Sequence, residues 1–209
     1  MIYSSLLAEI PWLQHGFGTR IDHLSQDGMA SVRQIHSAIV LPADRAGVAG
    51  DGDSLITDVT GLPVSVRTAD CYPILIADRK NQAVAAIHAG WRGTAAQIAL
   101  AVLRTMGERF GTRLSDVRVA IGPGIGVCCY EVGLEVAHQF GMQQAGCVDL
   151  AATNRNQLIA AGVPEASVEL TGGCTRCDAA QFHSFRRDKE QAGRMIYFVG
   201  IVQPRQKCP

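Results

Sequence analysis

Residues 73–88 decide the fold: PILIAD (Pro73–Asp78), RKNQ (Arg79–Gln82) and AVAAIH (Ala83–His88). Two apolar runs bracket four polar residues, the pattern of a β-hairpin with a short turn. If Asp78 pairs with Ala83, His88 faces Pro73. Cys71 then lies two residues beyond Pro73 on the face that carries His88. Diagonal neighbours on one face of an antiparallel pair have backbones roughly 7–8 Å apart, so both side chains can reach one small ligand. A slip of one residue would put them on opposite faces.

Downstream, Ala95, Ile98, Val102, Leu103, Met106 and Phe110 recur at helical spacing, with Thr94 as candidate N-cap and Gly111 as the stop. Residues 117–121 read as a short strand that enters the loop GPGIGVCCYE. A helix with Val132, Val136 and Phe140 on one face is expected next, then another over roughly Leu150 to Ala161 ending at Gly162. Residues 195–202 (MIYFVGIV) form an almost wholly apolar strand. Helices mixed with hairpin-linked strands predict an α+β fold, a mixed-sheet layered α/β sandwich, over a purely parallel doubly wound sheet.

The chain has 209 residues, enough for one domain with a sizeable core. Its 19 basic and 19 acidic side chains cancel, which argues against binding nucleic acid or a membrane surface through bulk charge. No apolar run is long enough to span a bilayer, and no basic region precedes an apolar stretch at the start. A cytoplasmic protein is the expectation. Seven cysteines, two of them adjacent, then read as thiols or metal ligands, not as a disulfide framework.

His36, Cys71 and His88 are the candidate chemistry. Two imidazoles and a thiolate hold zinc at about 2.0–2.1 Å and 2.3 Å while leaving a fourth position open, as catalytic zinc sites do. Arg67 and Asp70 precede Cys71, and Arg92 follows His88, so charge crowds an otherwise apolar hairpin end. An isolated His or Cys in a β-rich core is more often structural; these flanks tip the balance. The glycines of GPGIGVCC make G-x-G-x-G, not the dinucleotide fingerprint. That loop either brings Cys129 and Glu131 towards the site or buries a thiol. Cys174-Thr-Arg-Cys177 is a C-x-x-C without a second such pair, which argues against a structural zinc. FHSFRRDKEQAGR gathers Arg186, Arg187, Lys189 and Arg194, either a solvated face or an anion site on which Arg20 and Arg92 converge. His15, His23, His138 and His183 have no evident partner.

In order, QIHS, GDGDSLIT, RTADCYPILIAD, IHAGWRGT, IGPGIGVCCYEVG, CT and FHSFRRDKEQAGR resemble the YfiH-type laccase-domain family, also called the polyphenol oxidase or purine nucleoside phosphorylase family. The resemblance runs from about Gly16 to Gly200. It implies a layered sandwich related to Cys-His hydrolases. It also implies a catalytic zinc on the His of Q-[VI]-H, the Cys of ADC and the His of HAGWRG, here His36, Cys71 and His88. Members are described as phosphorylases of purine nucleosides and methylthioadenosine that also deaminate adenosine. Older descriptions make them copper-dependent polyphenol oxidases, and some bacterial members are linked to peptidoglycan fidelity. The chain departs from the pattern in FHSFRRD for FFSYRRD and in QIHS for QVHG. The segment before His36 is also shorter, and lacks the Asn-Leu-Gly and Asn-Arg elements, which bears on the pocket wall more than on the metal.

The leading expectation is therefore a zinc-dependent purine nucleoside phosphorylase and adenosine deaminase taking nucleosides and phosphate. Its candidate substrate-binding residues are Arg20, Arg67, Asp70, Arg92, Cys129 and Arg187. The alternatives are a Cys-His hydrolase or amidase with Cys71 as nucleophile and His88 as base, a copper oxidase, and a non-enzymatic adaptor. Six scattered histidines do not suit a trinuclear copper cluster. No apolar stripe or charge run marks an adaptor surface. Oligomeric state is not legible.

Overall fold

The computed structural model describes residues 1–202. Its strands in chain order are β1 (Leu13–Phe17), β2 (Ala30–Arg33), β3 (Val40–Pro42), β4 (Gly47–Asp51), β5 (Ser54–Thr57), β6 (Val64–Thr68), β7 (Tyr72–Asp78), β8 (Ala83–Ala89), β9 (Val117–Ile121), β10 (Glu131–Val132), β11 (Gly146–Cys147), β12 (Val168–Leu170) and β13 (Met195–Ile201). The α-helices are α1 (Ser5–Ala8), α2 (Trp91–Ala95), α3 (Ile98–Phe110), α4 (Leu134–His138), α5 (Leu150–Ala160) and α6 (Phe185–Asp188).

The hairpin forms in the expected register: Asp78 pairs with Ala83 and Pro73 with His88. Asp78 builds the turn itself. Its Oδ1 accepts the backbone N–H groups of Lys80 and Asn81 at 2.9 and 3.1 Å, and Oδ2 accepts from Asn81 Nδ2 at 2.8 Å. Every residue of β7 and β8 is buried. They lie inside a mixed sheet ordered β12-β9-β7-β8-β5-β3, which stacks on a second mixed sheet ordered β1-β13-β6-β2-β4.

Alternation divides the hairpin between two cores. Ile74, Ile76, Ala85 and Ile87 pack with Ile98, Val102 and Met106 of α3 and Leu158 of α5. Leu75, Ala77, Val84 and Ala86 pack with Val64, Val66, Tyr197 and Val199 of the other sheet. Each buried Val, Leu, Ile or Met among these contributes roughly 1.5–3 kcal/mol on burial, and each Ala less. The result is three layers: helices, a six-stranded sheet and a five-stranded sheet. The expected mixed-sheet layered sandwich is what forms. Pro73 and His88 lie in the sheet–sheet register, so His88 emerges between the two sheets at their edge.

Two helix expectations need correction. Thr94 is not an N-cap: it sits inside α2, and a left-handed Gln97 (φ 56°) separates α2 from α3. Helix α5 fastens it there, with Asn154 Nδ2 donating to Thr94 Oγ1 at 2.9 Å and Gln157 Nε2 to its carbonyl at 3.0 Å. Val132 belongs to no helix, because it pairs with Gly146 in a two-residue ladder, and α4 is a single turn and a half. The helix ended by Gly111 (φ 71°), the helix from Leu150 and the strand from Met195 form as expected.

Candidate metal centre and its cleft

Three segments bring His36, Cys71 and His88 together: the loop after β2, the β6–β7 turn and the end of β8. Their ligand atoms lie within 4.8 Å of one another. The two imidazole rings sit 4.9 Å apart, near perpendicular at 75°. Gly90 closes the cradle, since a Cβ there would stand 2.9 Å from Cys71 Sγ and 3.3 Å from His36 Cδ2.

Asp53, at the start of β5 and 0% exposed, organises this centre. Its Oδ1 accepts from the backbone N–H of His36 at 3.0 Å and meets His88 Nδ1 at 2.7 Å. Its Oδ2 accepts from the N–H groups of Ile35 and Ser37 at 3.3 and 2.5 Å and from Ser37 Oγ at 2.7 Å. Three successive N–H groups around one carboxylate form a nest, which holds His36 in its left-handed conformation (φ 59°). A carboxylate can only accept, so Nδ1 of His88 carries the proton and Nε2 is left for a ligand. Gln34 docks the same loop on β6: its side chain donates to the Arg67 carbonyl and accepts the Arg67 N–H, both at 2.8 Å.

The electrostatics follow from this packing. Burial pushes the Asp53 carboxyl up, but bonds from His88 and Ser37 outweigh it and hold the group at about 2. Burial likewise works against charge on Cys71 and His88. Hydrogen bonds with His36 and His88 nevertheless bring the Cys71 thiol down to about 6, and Asp53 and Cys71 raise His88 to about 9. A low-pKa thiolate and an oriented imidazole are the donor types a transition metal binds, so these residues fit zinc, and in donor type copper as well.

The three residues floor a cavity of about 500 Å³ whose walls include Arg33, Arg67, Asp70, Ile125, Tyr130, Phe185, Arg186 and Arg194. Arg186 lies 5.3 Å from the Tyr130 ring centroid. Burial, followed by the charge of Cys71, raises the Tyr130 phenol to about 12, so it stays protonated at neutral pH.

Of the residues expected to bind substrate, only Arg67 and Asp70 line this cavity. The Asp70 carboxylate is engaged by the protein, accepting from Thr175 Oγ1 at 2.7 Å and Arg186 N at 2.6 Å. Arg187 is a brace. Nε and Nη2 bond Asp188, Nη1 bonds the carbonyls of Thr175 and Arg176, and Nη2 bonds that of Phe182. Arg20 shares a separate depression with Arg187 and donates to the Ala179 carbonyl at 2.5 Å. Arg92 stacks 4.3 Å over the Trp91 ring and is not among the cavity residues. Cys129 joins Cys128, Cys174 and Cys177 in a second group of possible ligands. That corrects the reading of the C-x-x-C as unpartnered: its partners are an adjacent Cys pair. Asp53, Gln34 and Arg33 were not singled out by sequence reasoning; GDGDSLIT and QIHS were the only signals for the first two.

A family profile described as "Multi-copper polyphenol oxidoreductase laccase" matches residues 18–202. The chain belongs to this laccase-domain family. Among its relatives is a protein named purine nucleoside phosphorylase from Deinococcus radiodurans, 37% identical over 84% of this chain and 71% of the relative. Another, named adenosine deaminase, comes from an unknown prokaryotic organism and is 37% identical over 85% of this chain and 76% of the relative. Two solved structures share the fold. YlmD from Geobacillus stearothermophilus is 33% identical, with a TM-score of 0.81 over 85% of this chain and 75% of that one. YfiH from Bacillus licheniformis is 30% identical, with a TM-score of 0.79 over 83% and 74%. Other relatives named purine nucleoside phosphorylase extend further beyond the match, which covers 60% of the one from Bacteroides thetaiotaomicron. No helix among the described residues is long and apolar enough to cross a membrane.

Proposed function

We propose that this chain is a zinc-dependent purine nucleoside phosphorylase, acting on adenosine, inosine, guanosine and methylthioadenosine, with a second activity as an adenosine deaminase. The observation that carries the reading is the meeting of His36, Cys71 and His88 at the floor of an arginine-walled cleft. The names of its relatives point the same way. Zinc held by these three residues would supply Lewis acidity, bringing the pKa of water down to about 7. Asp53 keeps the His88 proton on Nδ1 and so aims Nε2 at that position. The guanidinium of Arg67 offers a fork for phosphate oxygens, and Arg33, Arg186 and Arg194 offer the donors left beside their bonds to Asp51, to the Glu131 carbonyl and to the Ala192 and Gly193 carbonyls. The rings of Tyr130 and Phe185 offer faces for a purine. The protonated Tyr130 hydroxyl is a donor for a ring nitrogen or phosphate oxygen. Of the arginines grouped in the sequence as an anion site, Arg186 and Arg194 line the cleft and take that role in this reading; Arg20, Arg92 and Arg187 do not line it.

The test is incubation of the purified protein with inosine, with and without phosphate. The expected result is hypoxanthine plus ribose 1-phosphate only when phosphate is present, with the KM for phosphate raised in Arg186→Ala. No phosphate-dependent product from inosine or adenosine refutes the reading.

One observation favours a second reading. The Cys71 thiol, at about 6 between two imidazoles, is also a nucleophile for a Cys-His hydrolase. Loss of one equivalent of zinc per chain in Cys71→Ser relative to the wild type rejects it. Rapid iodoacetamide labelling of Cys71 in zinc-replete protein supports it.

A further inference from the structure

We propose that Cys128, Cys129, Cys174 and Cys177 form a second metal site, a tetrathiolate zinc centre that clips together the two loops forming one wall of the cleft. The four sulfurs lie within 4.8 Å of one another. Cys129 and Cys177 are 3.3 Å apart, and Cys128 is 3.7 Å from each of them. A tetrahedron with Zn–S arms of about 2.3 Å has edges of about 3.8 Å. The thiols are thus arranged near the spacing that one ion requires.

The surroundings suit thiolates. Gly126 N–H donates to Cys174 Sγ at 3.2 Å, and Arg176 Nη1 donates to Cys129 Sγ at 3.4 Å. Binding releases the protons of four thiols to solvent and leaves a centre of net charge −2, which Arg176 partly offsets. Cys128 and Cys177 are exposed, so an ion can enter from solvent. No apolar packing explains four thiols at one surface point.

The position gives the site a task. Ile125 and Tyr130 flank the Cys128–Cys129 pair, and both line the cleft. Across from them, Thr175 lies between the other two cysteines. It donates its backbone N–H to the Gly124 carbonyl at 2.9 Å and its hydroxyl to Asp70 at 2.7 Å. Asp70 in turn accepts the N–H of Arg186. An ion on the four thiols therefore adds a clasp between the segment bearing Tyr130 and the segment anchoring Arg186, which also meet through the Gly124–Cys174 bridge and through Arg186 Nη1, which donates to the Glu131 carbonyl at 2.9 Å.

The inference is independent of the His36–Cys71–His88 site, so the test removes that site first. Cys71→Ser protein, purified under reductant without oxygen, is titrated with cobalt(II) and, separately, loaded with zinc for metal analysis. The expected result is one equivalent of either metal and thiolate-to-cobalt charge-transfer absorption. Both should be lost in Cys71→Ser/Cys177→Ser and in Cys71→Ser/Cys128→Ser; the exposure of both positions lets the metal-free variants unfold at the same temperature as Cys71→Ser. Hydrogen exchange over residues 123–131 and 173–187 should slow on metal addition to Cys71→Ser alone. Cys71→Ser that binds no metal overturns the proposal. So does a bound metal indifferent to Cys177→Ser, or a disulfide among these cysteines in protein kept under reductant.

Discussion

Asp53→Asn is the change that should uncouple the fold of the site from its chemistry. The carboxylate has no solvent exposure and meets five donors. An amide keeps one oxygen and turns the other into a donor. If the nitrogen takes the Oδ2 position, the N–H groups of Ile35 and Ser37 lose their acceptor, while Ser37 Oγ can rotate to accept. If it takes the Oδ1 position, His36 N–H is orphaned and His88 must move its proton to Nε2, the nitrogen needed for metal. A buried N–H left unsatisfied costs about 1–3 kcal/mol. These N–H groups are only part-buried, so the first arrangement costs at most about 2–6 kcal/mol of stability, and the second at most about half that plus metal affinity. Loss of such a carboxylate–histidine partner typically weakens binding 10–100-fold. Urea unfolding of the metal-free protein and competition against a zinc chelator read the two effects. Asp53→Asn with wild-type stability and wild-type zinc affinity would refute the reasoning.

Three further outcomes are expected. In metal-stripped protein, Cys71 should label with iodoacetamide along a titration centred near pH 6, not near the ordinary thiol value of 9.0, because His36 and His88 stabilise its thiolate against burial. Its folded value is depressed, so its contribution to stability is present above pH 9 and lost as pH falls through 6. Zinc should suppress the labelling, and mass spectrometry of the Cys71 peptide checks both. Gly90→Ala places a methyl 2.9 Å from Cys71 Sγ at an ordinary backbone conformation (φ −77°), so it should cost about 1–3 kcal/mol through overpacking and weaken zinc binding while the protein folds. Calorimetric zinc titration with a parallel thermal melt measures this. Acid should loosen the segment before β1. Burial lowers the pKa of His15, whose Nε2 accepts the Ser4 N–H at 3.0 Å. Burial pushes the Glu169 carboxyl up, but bonds from Ser4, Leu6 and Ser5 outweigh it and lower its pKa. Both folded values are depressed, so the stabilisation is full above the unfolded values of 6.5 and 4.5 and falls as pH drops below them. Hydrogen-exchange protection factors of residues 2–8, which divide out the intrinsic pH dependence of exchange, should fall as the pH is lowered from 7 towards 4 in the wild type, and much less in His15→Gln.

The central hairpin was legible because its signals are local. Alternation, two apolar runs and an Asp that can wrap its own turn set the register of Pro73 against His88 without help from the rest of the chain. His36 stood out as a candidate ligand, but its meeting with the hairpin was not legible from spacing, since it arrives from a loop after β2; the motif resemblance supplied that link. Asp53 was hidden for the same reason: one carboxylate serves a loop and a strand that meet only after folding. Among the arginines, composition marked a cluster but could not tell donors engaged by backbone carbonyls from free ones. Arg187 commits its donors to Asp188 and to the carbonyls of Thr175, Arg176 and Phe182, whereas Arg186 gives one donor to the Glu131 carbonyl and still lines the cleft. The four-thiol group escaped a search for two C-x-x-C pairs because two of its members are adjacent. The N-cap expected at Thr94 failed because α5 bonds, far away in sequence, hold that residue inside α2.

The most direct test is a paired measurement on wild type and Cys71→Ser: zinc per chain, and phosphate-dependent release of hypoxanthine from inosine. If His36, Cys71 and His88 form one metal site for nucleoside chemistry, Cys71→Ser should lose one equivalent of zinc and the phosphate-dependent product together. A Cys71→Ser protein that holds as much zinc per chain as the wild type, or that keeps the product with one zinc fewer, contradicts the account.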